Sequence, residues 1–243
     1  MNEWFEAVKQ DFITNFITRN RWRTMLTGLG NTLEIAFFAC LIGILLGIVV
    51  AVIRSTWETN GEKIRNPLAK GVLRFVNGLC KIYVTIIRGT PMVIQLMIMY
   101  YIIMKSVKSG VLVATISFGI NSGAYVSEIF RAGIMSIEKG QMEAGRSLGL
   151  NYLQTMWFII APQMLKNVLP TLCNEFITLL KETSIAGYVA VSDLTKAGDN
   201  IRGATYSPFM PLIAVAIIYL ILVMGLTKLV SLLERRLRQS DNR

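Results

Sequence analysis

Histidine does not occur in this 243-residue chain, which removes the commonest general base, metal ligand and proton relay of neutral pH. Cysteine is rare, and Cys40, Cys80 and Cys173 lie far apart in apolar surroundings without CxxC spacing. Neither a disulfide framework nor a metal site follows from them. No GxxxxGKS or GxxxxGKT phosphate loop is present, so the chain does not hydrolyse ATP through that machinery. There is also no clustered nucleophile and base, which argues against an enzyme. Charge is scarce as well: 16% of residues are charged and 53% hydrophobic, with mean hydropathy +0.51. These values exclude an ordinary soluble domain and define a membrane protein. The net charge of +10 does not point to nucleic acid, because Lys and Arg gather at the ends of apolar runs, where they anchor helices and set topology.

What is present is a series of long apolar segments. In residues 1–23, Trp4, Val8, Phe12 and Phe16 recur every four positions, the pattern of an amphipathic interfacial helix. Acidic residues and the lack of a small-residue cleavage site argue against a signal peptide. A single transmembrane domain is expected over 24–243, with spans near 31–53, 72–104, 111–129, 152–180 and 208–227. The first holds nineteen uncharged residues from Ile35 to Ile53, close to the ~20 that cross a bilayer. Gly43 and Gly47 on one face of it form a small-xxx-small contact. In the second, Arg88-Gly89-Thr90-Pro91 breaks the apolar run. Such a break is tolerated where protein or a water-filled cavity covers the freed polar groups. At the end of the third, Glu128 and Arg131 are spaced to pair on one helical face.

The fourth span is the most polar. Asn174, Thr178 and Lys181 share a face, and Glu175 and Glu182 nearly align on another. Carboxylates in a membrane segment face a cavity or a partner. Two roles stand open for them: holding the ammonium or cationic side chain of a substrate, or neutralisation by Lys181. Residues 183–207 form an outer re-entrant or surface segment, and the tail from Lys228 is cytoplasmic. Counting Lys and Arg, alternate connections hold fourteen against nine. The richer set faces the cytoplasm, which puts the N-terminus outside and the C-terminus inside.

Between the third and fourth spans lies a polar, glycine-punctuated connection over 131–151. Glu143, Ala144, Arg146, Ser147 and Leu148 suit a short helix, with Glu143 near its N-terminal end and Gly149 stopping it in the left-handed conformation. A rigid knob of this kind can transmit a push from a soluble partner; on composition alone, an ordinary cytoplasmic loop with a surface helix is the alternative. Glu143-Ala144-Gly145 is followed after three residues by Gly149, then after nine more by Ile159 and by Pro162 three beyond. This spacing resembles the coupling-loop signature of ABC importer permeases, written EAA, three residues, G, nine residues, I-x-L-P. Gly145 stands in place of the second alanine and Ala161 in place of the leucine. Arg88-Gly89-Thr90-Pro91 with Gln95, the run Tyr125 to Gly133, Phe176 to Ser184 and Asp193 to Gly198 are similar to the polar amino acid uptake permeases in particular.

The resemblance implies an all-α membrane protein of the type I ABC importer permease fold. It implies a non-enzymatic subunit coupled to a separate ATPase through Glu143, Ala144, Gly145, Arg146, Gly149 and Pro162. The substrate pathway would run past Arg88, Gln95, Asn174, Glu175, Thr178 and Glu182. No cofactor or metal is expected in this chain, ATP and Mg being bound by the partner. The implied partners are cytoplasmic ABC ATPase subunits, a second permease subunit, an extracellular or periplasmic substrate-binding protein and an amino acid, in a bacterial cytoplasmic membrane. Rival readings are a permease for another solute such as an osmolyte, and an ion-coupled secondary transporter, whose inverted repeat is missing here.

Overall fold

The computed structural model of the chain describes residues 2–62 and 64–241. Lys63 and Arg243, two of the cations assigned to cytoplasmic connections, lie outside the described residues, as do Met1 and Asn242. Ten α-helices occur among the described residues and no strand: α1 (Asn2–Phe12), α2 (Arg21–Asn60), α3 (Pro67–Gly89), α4 (Met92–Ile98), α5 (Gly110–Met135), α6 (Lys139–Ser147), α7 (Tyr152–Thr155), α8 (Ala161–Glu182), α9 (Leu194–Thr205) and α10 (Phe209–Asp241). π-helical turns follow α1, α4 and α7, and short 3-10 segments precede α2 and α9.

Helix boundaries follow local chemistry. Asn66 accepts from the backbone N–H groups of Leu68 and Ala69 at 3.0 and 3.3 Å, and Pro67 takes the first helical position of α3. Pro91 forces Thr90 into the extended region (φ −124°, ψ 147°) and ends that helix. Asn151 and Gln154 form a reciprocal capping box at the start of α7. Asp193 caps α9 by accepting from Thr195 N and Lys196 N at 2.8 and 3.2 Å.

Three helical stretches among the described residues are long and apolar enough to cross a membrane, within Glu3–Thr59, Gly110–Met135 and Phe209–Leu237. They contain the first and third expected spans and all of the fifth except Pro208. The second expected span is not one helix: the chain bends by 111° between α3 and the following helix over Met92–Ile103. It counts as a fourth crossing only if the bent pair is taken together. Residues 152–180 are helical, but Lys166, Asn167, Asn174 and Glu175 keep that segment below the apolarity of the others. Arg54 and Lys228, expected to begin connections, instead sit inside α2 and α10. At ~1.5 Å per residue α2 is ~60 Å long, twice the hydrocarbon core, so its ends overhang it.

The expected N-terminal helix over 1–23 is shorter in the structure. Arg19 and Asn20 have φ near +57° and +55°, which breaks it before α2. The apolar face divides with it: Trp4 and Phe12 are exposed, whereas Phe16 is buried.

The described chain forms two compact units, Met1–Ala39 with Val93–Phe118 and Ile177–Leu229, and Cys40–Met92 with Gly119–Phe176 and Val230–Arg243. In the first unit Phe16, Met25, Leu194, Ile201 and Val215 form the core. Thr32 Oγ1 accepts the N–H of Leu194 at 3.0 Å, tying α2 to the start of α9. In the second unit one core gathers Ala51, Val126, Phe130, Met164 and Val168, and another Val50, Cys80, Val84 and Ala124. Gly43 and Gly47 serve as their spacing predicts. A Cβ on either would meet Ser122 Oγ at 2.8 Å or Val126 at 2.5 Å, so α2 and α5 touch backbone to side chain along this face.

Candidate coupling helix and pathway residues

The polar connection after α5 is built as a helix seated on a second helix, all within the second unit. α6 begins at Lys139, one turn earlier than expected, which puts Glu143 at mid-helix rather than near the N-terminal end. Its last turn closes through Leu148 N to Ala144 O at 3.1 Å and Gly149 N to Arg146 O at 3.0 Å. Gly149 then takes φ +87°, a left-handed residue at the helix exit. Leu150 N returns to Gly145 O at 3.2 Å. Glu143, Ala144, Arg146, Ser147, Leu148 and Gly149 are all exposed, and Gly145 alone of the motif is buried.

Gly145 is the point of contact. A Cβ there would lie 2.6 Å from Thr155 Cγ2 and 2.8 Å from Ile159 Cδ1. The departure from alanine at this position is therefore matched by the methyl of Thr155. Polar side chains hold the same seat: Gln163 Nε2 donates to Ile159 O at 2.9 Å and to Gln141 Oε1 at 3.4 Å, and Asn167 Nδ2 donates to Ser136 Oγ at 3.2 Å. Sequence reasoning passed over Gln141, Thr155 and Gln163. Their signal was positional: Thr155 falls inside the motif spacing, and Gln141 and Gln163 stand two residues before and one residue after it. Pro162 is exposed in the first turn of α8, directly after the π-helical turn Met156–Ile160. A widened turn leaves room for a ring that would clash with the carbonyl four residues back.

Next to the polar connection in sequence, four charges join α2 to α5. Glu128 pairs with Arg54 through Oε1, and its Oε2 accepts from Arg131 at 3.0 Å. Arg131 reaches Glu58 at 3.6 Å. The expected Glu128–Arg131 pair is present, and Arg54 and Glu58 are additions that sequence spacing on a single helix does not reveal.

The six expected pathway residues fall in both units. In the second, the Arg88 guanidinium lies 5.2 Å from the centre of the Tyr125 ring. Ser122, one turn earlier on α5, donates to Glu175 Oε1 at 3.2 Å. Asn174 is exposed beside it. The segment Ser122–Tyr125 thus holds two of the candidates from two different helices. In the first unit Gln95 and Glu182 are half-buried and Thr178 is exposed.

Long apolar helices and a polar helix seated on the segment that follows it, with no strand among the described residues, are the architecture of a multi-pass helical membrane protein. The chain belongs to the family described as binding-protein-dependent transport system inner membrane components, whose profile matches residues 68–239. It is similar to the arginine transport system permease protein ArtQ of Bacillus subtilis, 35% identical over 220 residues that cover 89% of this chain and 94% of that one. It is also 37% identical over 199 residues to a putative glutamine transport system permease protein of Rickettsia bellii, covering 81% and 86% of the two chains. Among solved structures, the crystal structure of an amino acid ABC transporter with histidines matches with TM-score 0.78 and 35% identity over 91% of this chain and 98% of that one. The inward-facing MetNI methionine ABC transporter shares the fold, with TM-score 0.75 at 19% identity over 89% of this chain and 97% of that one. The protein is therefore a multi-pass inner-membrane permease subunit of the ABC importers.

Proposed function

We propose that the chain forms the translocation pathway for polar amino acids and takes its energy from a separate ATPase that pushes on α6. The observation that carries this reading is the seat of α6. Its buried Gly145 packs on Thr155 and Ile159 while Glu143, Ala144, Arg146 and Ser147 remain exposed. A helix wedged on one side and bare on the other passes force from a soluble partner into α7 and α8.

In this reading the chain makes five crossings, with the N-terminus outside, α1 lying in the membrane interface, and residues 24–243 acting as one permease domain. Two such subunits, identical or related, assemble with two cytoplasmic ATPase subunits that bind ATP and Mg, and with an external substrate-binding protein, in a bacterial cytoplasmic membrane. Closure of the ATPase pair moves α6, and access to Arg88, Gln95, Asn174, Glu175, Thr178 and Glu182 alternates between the two sides. The names of the relatives, which cite arginine, glutamine and cystine, favour amino acids over an osmolyte, and the amino acid ABC transporter among the solved structures favours ATP over an ion gradient.

Replacing Gly149 by valine tests the coupling. Nothing crowds a Cβ there, so the cost is confined to the left-handed backbone, ~1–2 kcal/mol. The variant inserts in the membrane and loses ATP-driven uptake in vesicles. Full uptake would contradict the assignment.

A further inference from the structure

The free surface of α3 carries two ridges of different character, and only one of them suits lipid. Leu68, Val72, Phe75, Leu79, Ile82 and Ile86 recur at alternating intervals of four and three and are all exposed. Arg74, Lys81 and Arg88 recur every seven residues and are exposed too. At ~100° per residue the ridges lie about 140° apart around the helix, so lipid covering one need not meet the other. The cations span ~21 Å of helix axis, against a hydrocarbon core of ~30 Å. A long stem carries Arg74 toward one membrane surface, whereas the Arg88 guanidinium lies against the Tyr125 ring. Lys81, midway, has no such route, and it makes no ion pair among the described residues.

An open recess of about 380 Å³ follows the cationic ridge, lined by Arg54, Lys81, Val84, Thr85, Arg88 and Glu128. Its charges do not cancel. Arg54, Glu58, Glu128 and Arg131 neutralise one another, which leaves Lys81 and Arg88 as two uncompensated positive charges, Arg88 being held by the Tyr125 ring. Thr85 adds a hydroxyl between them. An intramembrane charge with an open recess beside it marks a solute path.

We propose that this recess is a carboxylate-binding station on the transport route, in which the Lys81 ammonium and the Arg88 guanidinium receive the α-carboxylate of the passing amino acid. The proposal rests on the amino-acid reading above and adds Lys81, the recess and the group recognised.

The test uses the full-length chain with Cys40, Cys80 and Cys173 replaced by alanine and Thr85→Cys added, in membranes opened to both sides. A negatively charged and a positively charged methanethiosulfonate reagent are compared, each rate divided by that with a free thiol. The expected result is modification by both reagents with about a tenfold preference for the anion, the scale of focusing by a charged cleft. That preference disappears with Lys81→Gln and persists with Lys81→Arg. Glutamine slows the anionic reagent and glutaminamide, which lacks the carboxylate, does not. Absence of reaction, absence of anionic preference, a preference indifferent to Lys81→Gln, or equal protection by the amide would each overturn the proposal. Uptake by the cysteine-free parent reports on the amino-acid reading separately: if it carries none, that reading fails even where the anionic preference persists.

Discussion

Gly145 and Gly149, four residues apart, are glycine for different physical reasons. At 145 the constraint is space. Alanine there meets the Thr155 methyl 2.6 Å away and costs ~1–3 kcal/mol of overpacking, read as a lowered melting temperature of the purified protein. Pairing Gly145→Ala with Thr155→Ser removes the methyl and recovers part of that loss, Ile159 Cδ1 still standing 2.8 Å away; equal melting of the single and double variants would refute the contact with the methyl. At 149 the constraint is the backbone, φ +87° with open space around it. Asparagine, which tolerates the left-handed region, therefore retains far more uptake than valine. A purely steric account predicts similar losses for the two, which are of comparable bulk. The sequence announced the second glycine through its position after a helical run. It could not announce the first, because the crowding partner lies ten residues on, across a turn.

Among the elements, the α2–α5 contact shows how magnitudes rank two ion pairs of one network. Arg54 and Glu128 have side-chain exposures of 12% and 21%, whereas Glu58 is 30% exposed and lies 3.6 Å from Arg131. Breaking a buried pair costs ~3–5 kcal/mol because a charge is left uncompensated, and an exposed pair is worth ~0–1 kcal/mol. Partial exposure places Glu128→Gln below that upper range and Glu58→Gln near zero. Thermal unfolding in detergent checks the order, and equal shifts would refute it. Loss of the α9 cap by Asp193→Ala costs ~1–2 kcal/mol and is read in the same assay. The longest apolar helices were legible from hydropathy, and the Gly43–Gly47 face from its spacing. The bend at Thr90 was legible only as a break. Its angle depends on what Met92–Ile103 packs against, and no local residue encodes that. The N-terminal helix ends at Arg19 and Asn20, whose left-handed backbone no periodicity announces, and Phe16 of its apolar face is buried in a core with Leu194 and Val215.

At the scale of the molecule, the proposed coupling rests on a polar helix held against the α7–α8 segment and on the side of the membrane on which that helix stands. Helix identity came from local pattern, whereas the seat of α6 came from contacts between α6 and the α7–α8 segment that the motif spacing only hinted at. The measurement that bears most directly on the whole account is labelling of Ser147→Cys, on the exposed surface of α6, with a membrane-impermeant thiol reagent in the cysteine-free protein. Coupling to an internal ATPase predicts no labelling in intact cells and full labelling in inside-out vesicles. Labelling from the outside of intact cells would contradict it.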